Sequence, residues 1–143
     1  MSIPNQLYLV TTVCHGRQCH FVDWPVASAV CAALADPGLW RGSELQCWVL
    51  MPDHLHALVA LGDCETISHL MRRVKAVSSR IATKAGASGM GKRVWEHGFH
   101  DHALRHEEAV IDVARYIVAN PVRAGLVTSV RAYPYWDAIW LQE

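Results

Sequence analysis

Two apolar segments, residues 44–51 and 54–61, separated only by Pro52-Asp53, constrain the fold more than any other feature of the chain. Proline brings a fixed φ and no N–H, and aspartate bonds readily to nearby backbone, so this dipeptide is a turn signal and the flanking segments are expected to pair as a hairpin. Side chains alternate between the faces of a strand. His54 and His56 are therefore expected to point the same way, with Leu55 directed into the opposite face.

The rest of the chain supplies the partners such a hairpin needs. Residues 7–14 are rich in β-formers (Tyr8, Val10, Thr11, Thr12, Val13) and predict a strand. Residues 26–35, alanine-rich and stopped by Asp36-Pro37-Gly38, predict a helix. Residues 66–85 carry apolar side chains at Ile67, Leu70, Met71, Val74, Val77, Ile81 and Ala85, a helical period with most of the arginines and lysines between them. Residues 99–105 predict another strand, and residues 107–120 a helix that opens with Glu107 and Glu108 at its positive end and stops before Pro121. The order βαββαβα predicts an α+β sandwich of ferredoxin-like βαββαβ type, with helices packed on one face of an antiparallel sheet. A chain of 143 residues suits a single domain, 1–143, and the glycine-bearing stretch 85–91 reads as a mobile loop rather than a boundary.

Formal charge is balanced at 13 basic and 13 acidic residues, yet residues 72–105 hold eight Lys or Arg against two acids. That local surplus is the kind that meets phosphate backbones, and equally the kind found on a solvated helix face. Five cysteines, odd in number and without a C-x-x-C pair, argue against a disulfide framework or a zinc knuckle. With no basic and apolar leader at the amino terminus and no apolar stretch long enough to span a bilayer, a reduced, cytoplasmic location away from the membrane is expected.

Two histidines at i and i+2 can hold a divalent ion, or each can simply satisfy a backbone carbonyl. His100-Asp101-His102 repeats the spacing with a carboxylate at its centre, which makes His100, Asp101 and His102 secondary, substrate-side candidates. Sixty residues beyond the first pair, Tyr116 and Asn120 stand four apart on one face of the last helix. A packed tyrosine and a helix-end asparagine are the ordinary explanations. Beside a histidine pair they gain another: tyrosine, with a reference pKa of about 10, needs a cation or a proton acceptor nearby to act as a nucleophile. A metal held by His54, His56 and the Asn120 carbonyl oxygen would align a phosphodiester for attack by Tyr116. Tyr133 and Tyr135, in a proline-containing tail, read as packing or base-stacking groups.

Met51-Pro52-Asp53-His54-Leu55-His56, the block from Trp95 to Arg105, and Tyr116-Ile117-Val118-Ala119-Asn120-Pro121-Val122-Arg123-Ala124-Gly125-Leu126, in this order, resemble the Y1 transposases of HUH type, most closely the REP-associated tyrosine transposases. The resemblance implies a bacterial single-strand DNA endonuclease and strand transferase on a ferredoxin-like fold, using Mg²⁺ or Mn²⁺ and acting on palindromic DNA that folds as hairpins. It implies His54, His56 and Asn120 as metal ligands and Tyr116 as the nucleophile that forms a 5′-phosphotyrosine. Single-stranded or hairpin DNA is the expected partner, met by Arg72, Arg73, Lys75, Arg80, Lys92, Arg93, Arg105 and Arg123, with the protein a monomer or a homodimer. A catalytically silent nucleic-acid-binding domain and a water-using metal phosphodiesterase are the rival expectations.

Overall fold

A computed structural model describes residues 6–87, 93–105 and 110–141. The expected hairpin is present as β2 (Glu44–Met51) and β3 (His54–Ala60), and β1 (Leu7–Val13) pairs antiparallel with the other side of β3. β4 (His100–Ala103) lies outside β1, shorter than the expected 99–105. A three-residue strand that the sequence did not announce, β5 (Trp136–Ala138), closes the opposite edge against β2. The sheet order is β4-β1-β3-β2-β5, antiparallel throughout. This is the ferredoxin-like arrangement of α+β type with one strand added.

The helices form where the apolar period and the caps agree. α1 (Trp24–Leu34) opens on Pro25, whose missing N–H would be unsatisfied in the first turn anyway, and is followed by the single turn α2 (Pro37–Trp40). α3 (Ile67–Lys84) starts at Thr66, whose hydroxyl accepts from the His69 N–H at 3.1 Å. α1 and α3 pack together on one sheet face, where Val26, Val30, Leu70, Met71 and Val74 meet Val10, Leu50, Leu55, Ala57 and Val59. That is the expected layer of helices.

A third helix, α4 (Val110–Val118), covers the other face, seating Ala114 and Ile117 on Cys47, Val49, Met51 and Leu58. The expected helix 107–120 is broken into two: α4 ends at Val118 and α5 (Asn120–Arg123) begins a new turn with Pro121 near its start. Proline has no N–H to extend the α4 ladder, which accounts for the break. Glu107, Glu108 and most of the glycine-bearing stretch lie outside the described residues. The tail is tied down by Tyr133, whose buried hydroxyl donates to the Leu50 carbonyl at 2.6 Å, and by the Leu50 N–H, which donates to Tyr135 O at 2.8 Å. Tyr133 is therefore a packing residue.

Trp95, from the second motif block, is also structural. It bridges to Cys14 beyond the end of β1 and its indole N–H donates to Ser78 Oγ on α3 at 2.9 Å, linking the sheet to the helix layer.

Candidate functional site

The sheet register builds the site from separate parts of the chain. Thr11 pairs with His56 on one side and with His100 on the other, and His56 pairs in turn with Val49, which pairs with Trp136. Paired residues in an antiparallel sheet point to the same face, so this row crosses all five strands on one side. It is the side covered by α4, because Val49 and Leu58 contact Ala114 and Ile117. His54 is two residues from His56 on the same strand and shares that face.

Each imidazole is held by its Nδ1. His54 Nδ1 lies 2.7 Å from Asp53 Oδ1, and His56 Nδ1 lies 2.8 Å from Thr11 Oγ1. The tautomer that donates from Nδ1 in both contacts leaves each Nε2 lone pair free for a ligand, which is how metal-binding histidines are usually oriented. The two rings stand 4.7 Å apart between centroids at 83°. Burial pushes the pKa of His56 down to about 4, aided by the nearby His54 and Arg123, so this imidazole is neutral at pH 7 as a metal ligand must be. Asp53 is itself steadied by Arg17, whose Nε is 3.2 Å from Oδ2.

Among the described residues no group of three or more His, Cys, Asp or Glu side chains is arranged to hold a metal ion. The sheet brings the imidazoles of His54 and His56 together, and Asn120 stands at the start of α5. Its amide nitrogen donates to the α4 end carbonyls of Ile117 (3.2 Å) and Tyr116 (3.4 Å), which leaves Oδ1 as the end of the amide outside those bonds.

Tyr116 lies on α4 with half its surface exposed (52 %), beside Ala114 and Ile117, which are buried against the sheet. Arg123, two residues beyond Pro121, brings its guanidinium carbon within 3.9 Å of the Tyr116 ring centroid, and its Nη2 donates to the Tyr116 carbonyl at 2.8 Å. The same guanidinium is near enough to His56 to help hold it neutral.

The secondary candidates divide by register. His100 and His102 stand on the site face of β4, while Asp101, paired with Val10, points to the opposite face. Two strand spacings, roughly 10 Å, separate His100 from His56. These residues flank the pair and do not join it.

The basic residues divide by partner. Arg73 is committed inside the protein: both Nη atoms reach the Glu65 carboxylate at 2.6 Å and Nε donates to Leu39 O at 2.8 Å. Lys75 donates to the Glu96 and Gly98 carbonyls, each at 2.6 Å. Both are engaged with partners inside the protein. Arg72, Arg80, Arg93 and Arg105 are exposed, and Lys92 lies outside the described residues. Arg72 and Arg80 ride on α3, across the sheet from the histidines. Sequence reasoning missed Thr11, Asp53 and Arg17. Asp53 could have been found as an acid adjoining a ligand candidate, whereas Thr11 needed the register.

The sequence matches the family described as "Transposase IS200 like" over residues 2–120. It is 31% identical over 97 residues to the REP-associated tyrosine transposase of Escherichia coli (strain K12), a match covering 66% of this chain and 54% of that protein. An uncharacterized protein of Haemophilus influenzae is 25% identical, over 52% of each chain. The chain thus spans about half the length of the curated relatives it matches. In fold it is similar to a solved REP-associated tyrosine transposase bound to a REP hairpin, with a TM-score of 0.72 and 22% identity over 95% of this chain and 78% of the other. A solved structure from Deinococcus radiodurans R1 matches with a TM-score of 0.62 and 21% identity, covering 82% of this chain and 92% of the other.

Proposed function

This chain belongs to the IS200-like transposase family, and from that premise we propose that it is a metal-dependent single-strand DNA endonuclease and strand transferase that acts on hairpin DNA through Tyr116. The observation that carries the reading is the convergence on one sheet face of two imidazoles, each anchored through Nδ1, beneath the helix that bears Tyr116 and is followed by Asn120. Members of the family are metal-dependent in general. His54 Nε2, His56 Nε2 and Asn120 Oδ1 are the donors that would hold Mg²⁺ or Mn²⁺. Bound there, the cation would supply Lewis-acid stabilisation of charge on a non-bridging phosphate oxygen.

The chain's own residues do the rest. Thr11 and Asp53 fix the imidazole orientations, and α4 carries the half-exposed phenol. The Tyr116 oxygen attacks phosphorus and loses its proton to solvent; the Oη–P bond forms as the P–O3′ bond breaks. The 3′ oxygen leaves with the bonding pair and takes a proton from water, giving a 5′-phosphotyrosine and a free 3′-OH. Because the phosphodiester energy is kept in the covalent link, a 3′-OH can reverse the step without ATP.

Arg72, Arg80, Arg93 and Arg105 are the exposed cations proposed to meet phosphates. The E. coli relative and the hairpin-bound structural neighbour support hairpin DNA as the substrate. A cytoplasmic setting belongs to the same reading, in keeping with five free cysteines, and among the described residues no helix is long and apolar enough to cross a membrane.

The test is a reaction with a hairpin carrying a single-stranded foot, in Mn²⁺, followed by denaturing electrophoresis and mass spectrometry of the digested adduct. A DNA-linked peptide containing Tyr116, absent in Tyr116→Phe, is the expected result. Cleavage without an adduct in both proteins would point to a water-using phosphodiesterase, and binding without cleavage to a silent DNA-binding domain; either would overturn the proposal.

A further inference from the structure

We propose that Arg123 is a positioning residue for Tyr116, clamping the phenol ring of the attacking side chain at the end of α4. The inference rests on the reading of Tyr116 as the nucleophile.

Pro121 interrupts the helix one turn beyond Tyr116, so carbonyls at the end of α4 need partners other than the next N–H groups. Asn120 takes Ile117 O, and Arg123 reaches back to take Tyr116 O at 2.8 Å. Helix capping alone would account for that bond. It does not account for the guanidinium lying 3.9 Å from the centroid of the Tyr116 ring. The bond and the stack together fix two things at once, the backbone from which the side chain springs and the plane in which its ring lies.

Both constraints matter because the ring is otherwise loosely held. Tyr116 is 52% exposed, and among the described residues the guanidinium is the cation stacked on it. An exposed phenol would sample several rotamers, few of which bring its oxygen in line with a phosphorus held at the histidines. A planar cation restricts the ring through the attraction of its π face. One N–H of five is engaged by the Tyr116 carbonyl, so the contact leaves the guanidinium able to follow the ring as DNA enters. Lysine could supply the charge but not the flat surface combined with a directed bond.

The experiment compares wild type, Arg123→Ala and Arg123→Lys under single turnover with the footed hairpin in Mn²⁺, reading adduct formation and DNA affinity separately. Arg123→Ala is expected to lose on the order of 10- to 100-fold in adduct rate, the scale of a misplaced reacting group, with DNA affinity changed far less. Added guanidinium ion should restore part of the rate to Arg123→Ala, which a folding defect would not allow, and Arg123→Lys should fall between the two. A second reading needs no DNA: the Arg123 δ-methylene protons should be shifted upfield by the ring in NMR spectra, and the shift should vanish in Tyr116→Leu. An adduct rate in Arg123→Ala equal to wild type would overturn the proposal while leaving the nuclease reading intact. A loss that appears wholly in DNA affinity, or an absent ring-current shift, would overturn it as well. If wild type itself forms no adduct, the nuclease reading falls and the clamp falls with it.

Discussion

Replacing Asp53 should weaken metal binding in a graded way that depends on the charge of its side chain. Asp53 Oδ1 stands 2.7 Å from His54 Nδ1, and both side chains are largely shielded, at 21% and 17% exposure. A hydrogen bond to a charged group contributes about 1.5–3 kcal/mol and a neutral one about 0.5–1.5, so Asp53→Asn should cost roughly 1 kcal/mol, or about fivefold in Kd. Asp53→Ala removes the carboxylate altogether, and deleting the outer partner of a ligating histidine typically costs about 10–100-fold. The backbone should tolerate both changes, because the Asp53 carbonyl that accepts from Cys14 N at 2.8 Å is untouched. The assay is calorimetric titration of metal-free protein with Mn²⁺, alone and with hairpin DNA bound to the Tyr116→Phe background, beside thermal melts of each variant. Arg17→Ala serves as a control. Its ion pair with Asp53 involves a side chain 61% exposed, and such pairs contribute about 0–1 kcal/mol, so its effect should be small. Wild-type Mn²⁺ affinity in Asp53→Ala would refute the role given to this carboxylate, and Mn²⁺ binding unaffected by His54→Ala would refute the site itself.

Removing Glu65 should be among the most destabilising polar substitutions. It leaves the Arg73 guanidinium, at 17% exposure, without its carboxylate, and breaking a buried pair costs about 3–5 kcal/mol. Urea melts should show most of that loss recovered in Glu65→Leu/Arg73→Met, and an unchanged melt of Glu65→Ala would refute the assignment. His56 has a pKa of about 4 in the folded chain against 6.5 ordinarily, so as pH falls from 6.5 to about 4 the unfolded chain takes up the proton first and stability declines across that window. His56→Asn should flatten the decline, and an identical pH profile in the two proteins would contradict the burial argument. Charge reversal at the exposed Arg72 and Arg80 should weaken hairpin binding and reduce the slope of log affinity on log salt by about one for each phosphate no longer neutralised, while thermal stability stays close to wild type. An unchanged slope would remove α3 from the DNA surface.

The fold was legible because its signals are local. The Pro52-Asp53 turn, the alternation through His54 and His56 and the helical period from Ile67 all report on neighbouring residues, and each element formed close to its expected limits. β5 was not legible: Trp136-Asp137-Ala138 is too short for a period, and it becomes a strand only because β2 offers an edge. The same division runs through the site. The histidine spacing and the Tyr116–Asn120 interval are readable in one dimension, whereas the support from Thr11 to His56 spans 45 residues and exists only through the β1–β3 register. Charge counting is blind to the partners of Arg73 and Lys75 for a related reason. A count cannot tell a solvated cation from one turned inward toward Glu65 or toward the Glu96 and Gly98 carbonyls.

α4 lies over the sheet of its own chain, with β4 preceding it and the tail continuing through α5 to β5, which pairs with β2 of the same sheet. The run from β4 to β5 therefore passes from one edge strand of the sheet to the other and carries Tyr116 between them, so neither edge can be lost without freeing one flank of the segment that bears the tyrosine.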